Sequence, residues 1–178
     1  MATVVLDAGH GGVTDPGAVY GDRQEKDDNL NLALAVGKIL TDNGVNVVYT
    51  RTTDVYETPY EKAEKANASG ADYFVSIHRN SSPYPNTYSG VETLVYSAYG
   101  VAYEMATNIN EQLEKVGFIN LGVNERPNLV VLRLTQMPAV LVEAGFINND
   151  NDNWLFDSSF EDTASAIADG ILMTIWEN

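Results

Sequence analysis

The sequence predicts an α/β fold with a mostly parallel sheet, and three observations carry that reading. Apolar, strand-like runs alternate with segments of helical period, the pattern of successive βαβ units. The chain has 178 residues and no cysteine, a length that fits one domain with roughly 70% of its unfolded surface buried and no need of a disulfide. Finally, three apolar runs each end in a residue able to bind metal or move a proton: Val4-Val5-Leu6 leads to His10, Tyr73–Ile77 to His78, and Ala139–Val142 to Glu143. In open α/β sheets ligands bind at the carboxyl ends of strands.

The elements follow in order. The first strand is expected at about Thr3–Leu6, followed by a long polar loop from Gly9 to Asp28. The first helix shows Leu30, Ala33, Leu34, Gly37 and Leu40 on one face and stops at Gly44. A second strand is read at Val45–Thr50. Thr58-Pro59-Tyr60-Glu61 combines a capping box with proline at the first helical position, so a second helix starts there. Tyr73–Ile77 is the third strand, a Pro/Asn/Ser loop covers 80–89, and Val91–Tyr96 is the fourth strand. Ala102, Met105, Ala106, Ile109, Leu113 and Val116 mark a third helix. Leu129–Leu132 and Ala139–Val142 are read as the fifth and sixth strands, and Phe160, Ala164, Ile167, Ala168 and Ile171 form the stripe of a last helix. Asn148–Asp152 has acidic and amide residues but not the ligand spacing of a calcium loop, so it is read as a turn and helix cap.

Composition narrows the function. A formal net charge of −15 argues against nucleic acid, whose binding needs cations to neutralise phosphates, and against an anionic membrane surface. No apolar run has the length of a membrane-spanning helix. Met1-Ala2-Thr3 leads directly into the first strand with no secretory signal pattern, which points to a cytoplasmic chain, one released by another route, or an excised mature domain.

His10 and His78 are the only two histidines. Two neutral imidazoles and a carboxylate suit a catalytic zinc that keeps one position open for water, and without cysteine the ligands must be nitrogen and oxygen. The loop after His10 offers Asp15, Asp22, Glu25, Asp27 and Asp28 as the third ligand. Glu25 is favoured because it lies far enough along to fold back toward His10, but composition leaves the others open. Glu143, at the end of an apolar run, is a candidate general base and acid. With both histidines committed, a Ser-His-Asp triad is not expected. The five arginines (Arg23, Arg51, Arg79, Arg126 and Arg133) fall in expected loops or at strand ends, consistent with a rim for an anionic substrate.

The chain resembles the zinc-dependent N-acetylmuramoyl-L-alanine amidases of the type 3 family. The resemblance rests on Leu6-Asp7-Ala8-Gly9-His10-Gly11-Gly12, Asp15-Pro16-Gly17-Ala18, Glu25-Lys26-Asp27 with Asn29-Leu30, Thr50-Arg51-Thr52, Ala71–His78 with Asn80, Ser89-Gly90-Val91-Glu92, Asn128–Arg133 and Met137–Phe146. It implies a mixed six-stranded sheet flanked by helices, one zinc held by His10, Glu25 and His78, and Glu143 as the catalytic carboxylate. The implied reaction is hydrolysis of the amide joining the lactyl group of N-acetylmuramic acid to L-alanine in peptidoglycan. A zinc peptidase is the alternative. Asn80, Arg79, Arg133 and Arg51 are expected to bind substrate, with Arg79 taking a stem-peptide carboxylate. Ala8, Arg79 and Ala144 depart from the family's usual proline, small residue and leucine. Only a short loop follows Asn80, so the inserted helix that blocks the site in the cell-division branch is not expected. The expectation is a monomeric catalytic domain spanning 1–178 that acts on the wall outside the membrane, in the manner of a phage lysin or an excised secreted domain.

Overall fold

Alternation of side chains along the central strands sets the architecture. In β1 (Thr3–Ala8), Val4, Leu6 and Ala8 face one side of the sheet, while Val5 and Asp7 face the other. The computed structural model describes residues 1–178. After β1 come a two-residue hairpin, β2 (Val19–Tyr20) and β3 (Arg23–Gln24), then α1 (Glu25–Asp42), β4 (Asn46–Tyr49), α2 (Pro59–Ser69), β5 (Tyr73–Asn80), β6 (Val91–Val95), α3 (Gly100–Val116), β7 (Asn120–Glu125), α4 (Val130–Arg133), β8 (Ala139–Phe146), α5 (Asp150–Ser158) and α6 (Phe160–Glu177).

The main sheet has six strands in the order β4-β1-β5-β8-β6-β7. β4, β1, β5 and β8 run parallel, β6 pairs antiparallel with β8, and β7 runs parallel to β6. The sheet is therefore mixed and mostly parallel. β1, β5 and β8 are adjacent and run the same way, so their carboxyl ends lie side by side.

Two apolar layers cover the sheet. Val4, Leu6, Val75, Ile77, Val140 and Val142 pack against Leu32, Val36 and Leu40 of α1, Ile109 and Leu113 of α3, and Ile167 and Ile171 of α6. The other face is smaller: Val5, Phe74, Leu94 and Leu141 pack against Ala66 of α2 and Val131 and Leu132 of α4. Because α4 is only four residues long, this second layer leaves part of the sheet uncovered near the carboxyl ends of β1 and β5.

α2 starts as its sequence predicts. Thr58 and Glu61 form the reciprocal capping box, Pro59 is at the first helical position, and Gly70 closes the helix at φ 65°. Asn149 accepts from the Asp152 amide and caps α5, so Asn148–Asp152 is a turn and cap.

Three expectations are corrected. Leu129–Leu132 does not form a strand; most of it is α4, since a four-residue apolar run carries no period to separate helix from strand. The sixth strand is Asn120–Glu125, an edge strand paired only to β6, whose Asn, Gly and Glu residues mask its pattern. His78 and Glu143 lie inside their strands rather than past the ends, because β5 runs on to Asn80 and β8 to Phe146.

Candidate metal centre and active site

His10 follows β1 in the turn Gly9-His10-Gly11-Gly12 and adopts φ 62°, an unusual conformation for a residue with a side chain. Its neighbours hold it there. Arg51 donates from Nε to the Ala8 carbonyl (3.0 Å) and from Nη2 to the Gly9 carbonyl (3.0 Å), Asn29 donates to the Gly9 carbonyl (3.1 Å), and Lys62 donates to the Ala8 carbonyl (2.8 Å). Gly9 is required by close approach: a Cβ there would sit 2.3 Å from His78 Cε1.

Glu25 is the first residue of α1 and is buried. Its Oε2 accepts from the Ala18 amide (2.8 Å), and its Oε1 accepts from the Arg79 amide (3.1 Å) and Asn29 Nδ2 (3.3 Å). His10 Nε2 lies 3.3 Å from Oε2, and His78 Nδ1 lies 3.0 Å from Oε1. One ligand atom from each of His10, Glu25 and His78 falls within 4.8 Å of the others. The two imidazole rings meet edge to face, 5.0 Å between centroids. Of the five loop acids, Glu25 alone lies against both histidines. Asp15 takes a different position: its Oδ1 lies 2.8 Å from His10 Nδ1, on the side of the ring away from Glu25. A proton on Nδ1 shared with Asp15 leaves Nε2 free to face the cluster.

Electrostatics match a cation-binding centre. Burial raises the Glu25 pKa, but hydrogen bonds and the fields of His10 and His78 outweigh it and hold the carboxyl well below the usual range. Burial lowers His10, while Glu25 and Asp15 raise it more, to about 8. Two nitrogens and one ionised oxygen, with no thiolate in the chain, fit a borderline divalent ion such as zinc.

Glu143 projects from β8 on the same face as His78, its partner across the parallel β5–β8 pair, and lies opposite Glu92 of β6. The residue keeps part of its surface open, but Oε2 is shielded from solvent and has no hydrogen-bond partner. Burial, aided by Glu25 and Glu92, pushes its pKa up to about 7. Glu92 is fixed by amide donors from Asn80 (2.9 Å) and Asn124 (2.7 Å). Below the cluster, Asp7 is buried with Lys62 (2.8 Å), Thr50 (2.7 Å) and Ser76 (2.6 Å). The sequence reading assigned no role to Asp7 or Lys62. The signal was an acid inside an apolar strand, together with a lysine beside Ala63 and Ala66 on a helix face.

Beside the histidines a cleft of about 330 Å³ opens between α2 and α4, lined on its apolar side by Pro59, Leu129, Val130, Val131 and Leu141. The arginines expected to bind substrate do not reach it. Arg79 is buried on the opposite face of the sheet, because β5 continues through it and side chains alternate. It binds Asp28 (2.6 Å) and Asn153 (2.8 Å) and stacks on Phe156 at 4.2 Å. Arg51 is buried and spent on backbone carbonyls. Arg133 is exposed, but lines a separate groove around Ala139, at the far end of β8 from the metal ligands. Asn80 is turned to Glu92, behind Glu143.

A mixed α/β sheet that collects two histidines and a glutamate, a group able to hold a metal ion, around an open cleft with a buried carboxyl group alongside has the plan of a hydrolase. The comparisons name the group: residues 4–173 match the family described as N-acetylmuramoyl-L-alanine amidase, and the chain belongs to that family. It is 39% identical over 166 residues to the sporulation-specific N-acetylmuramoyl-L-alanine amidase of Bacillus subtilis (strain 168), covering 90% of this chain and 62% of that protein. It is 40% identical over 175 residues to the endolysin of Bacillus phage SPP1, covering 94% and 64%. The chain thus spans just under two thirds of these relatives' length. Among solved structures, the catalytic domain of the amidase CwlV from Bacillus (Paenibacillus) polymyxa var. colistinus superposes with a TM-score of 0.89 at 35% identity, covering 98% of both chains. The amidase AmiC2 of Nostoc punctiforme gives 0.90 at 33% identity, covering 98% of this chain and 97% of that one.

Proposed function

We propose that this chain hydrolyses the amide between the lactyl group of N-acetylmuramic acid and L-alanine of the stem peptide in peptidoglycan, outside the membrane. It would do so as a monomer holding one zinc ion through His10, Glu25 and His78. The observation that carries this is the convergence of those three side chains, within 4.8 Å, beside Glu143 and an open cleft. No helix is long and apolar enough to cross a membrane.

When bound, a zinc ion polarises the scissile carbonyl and makes water more acidic. The chain's own residues supply the rest. Glu25 stays ionised at neutral pH, and Asp15 fixes the His10 tautomer that turns Nε2 inward. Glu143, with a pKa of about 7, holds and releases a proton near neutral pH. It takes a proton from the attacking water and returns it to the alanine nitrogen as the C–N bond breaks. Oε2, shielded and unpartnered, is the atom suited to hold that proton.

Digestion of purified peptidoglycan by the metal-loaded chain tests this. The expected products are new L-alanine amino termini without new glycan reducing ends. New amino groups from residues deeper in the stem would instead indicate a peptidase. Glu143→Gln should retain metal and lose activity by roughly 10²–10⁴-fold, and near-normal turnover in that variant would assign the proton transfer elsewhere.

A further inference from the structure

Stem peptides carry carboxyl groups that occur free or capped as carboxamides. A rim of arginines would favour the free form, and the structure contains no such rim at the cleft. The titratable groups lining it are Asp7, His10, Asp15, Glu57, Lys62 and His78, with Glu25 and Glu143 adjoining the histidines. Lys62 is the single cation among the lining residues. Its side chain is 4% exposed, and its ammonium group is bound to Asp7 and the Ala8 carbonyl. The neighbouring cations are equally committed: Lys65 to Glu57 and the Thr50 carbonyl, Lys26 to Asp54 and the Gly12 carbonyl, Arg51 and Arg79 to the buried partners already described.

Acceptors, by contrast, are in surplus. Asp15 is 35% exposed, and Glu143 forms no salt bridge with a lysine or arginine, whereas Glu57 is paired with Lys65. A dication at the cluster does not reverse the balance, because Glu25 and Asp15 offset its two charges and Glu143 remains. Asn128 lies at the exposed rim with a side chain that makes no hydrogen bond.

We propose that this cleft selects muropeptides in which the carboxyl group nearest the scissile amide is capped as a carboxamide, and discriminates against the free carboxylate. The inference rests on the amidase reading above. A carboxylate entering here loses water and meets like charges with no cation to pair with, whereas a carboxamide is neutral and brings N–H donors to a site rich in acceptors. Asp15, partly exposed on the cleft wall, is the acceptor placed to receive them.

The test uses the metal-loaded chain and two soluble muropeptides identical except for carboxylate or carboxamide at that position. Rates are measured against concentration at about pH 7.5, where the free acid is fully ionised. The capped substrate is expected to show a KM roughly tenfold lower, with the gap narrowing in about 0.5 M salt as the charges are screened. Asn128→Lys should lower KM for the free acid several-fold and narrow the gap between the two substrates, and an unchanged gap counts against the charge argument. Equal KM values, or preference for the free acid, overturn the selectivity while leaving the amidase reading intact. Cleavage of neither substrate overturns the amidase reading, and this inference with it.

Discussion

Replacing Arg79 by methionine separates a substrate-binding arginine from a structural one. Methionine keeps an apolar chain over Phe156 and removes the guanidinium. Arg79 has a fully buried side chain whose Nη1 donates to Asp28 at 2.6 Å, whose Nη2 donates to Asn153 at 2.8 Å, and which also approaches the Gly145 and Phe146 carbonyls at 3.4 Å. Breaking a buried pair by removing one partner costs about 3–5 kcal/mol. Asp28 keeps Arg23 at 2.7 Å, so the lower end, about 3 kcal/mol, applies here. For a chain of this size each kcal/mol moves the melting temperature by about 2–4 °C, giving an expected drop of about 6–12 °C. Calorimetry on the purified variant gives that number, and rates on a soluble muropeptide give KM. Because Arg79 faces away from the cleft, KM should change less than about twofold. An unchanged melting temperature with a KM raised about tenfold would refute the structural assignment and return Arg79 to the substrate.

Three further outcomes follow from the site. Asp15→Ala should weaken zinc binding by about 10–100-fold in competition with a chromophoric chelator, since His10 loses the partner that fixes its tautomer, and Asp15→Asn should recover part of the loss. In the metal-free protein His10 is raised to about 8, so its contribution to stability is present below its unfolded value near 6.5 and is lost as pH rises through 8. Zinc must displace that proton, so apparent affinity should climb between about pH 6.5 and 8 and then level; a flat profile across that window would contradict the pairing with Glu25 and Asp15. Asp7 is raised by burial but lowered more by Lys62 and Ser76, so its net shift is downward. Its stabilisation is therefore present above the unfolded value near 4 and lost as pH falls below it. Asp7→Asn should destabilise the fold at pH 7 and flatten the loss of stability between about pH 5 and 2 in urea titrations, and an unaltered acid profile would show that Asp7 is not a major contributor.

Much of this protein was legible in its residues. Alternating apolar runs and helical stripes defined an α/β class, because burial against a sheet or along a helix imposes periods that sequence records directly. The cap of α2 was legible because Thr58, Pro59 and Glu61 act within one turn. His10, His78 and Glu143 stood out as the ends of apolar runs, and the structure places His78 and Glu143 side by side on β5 and β8, with His10 in the turn after the neighbouring β1. The weak edge strand β7 and the short α4 were missed because neither is long or periodic enough to display a pattern.

Tertiary structure decided the rest. Glu25 was one acid among five in its loop, and only the packing of α1 against β5 brings it between two histidines. Asp15, from the same loop, became the partner of His10 instead. Arg79 follows His78 directly in the chain, yet one further residue of strand sends it through the sheet to Asp28 and Phe156. Arg133, read as part of the same rim, lies at the other end of β8. The sequence by itself determined which residue types were available and the faces and periods they would occupy, since those are local properties of the backbone. Pairs such as His78 with Glu25 and Arg79 with Asp28 join residues 53 and 51 positions apart, and folding alone fixes those.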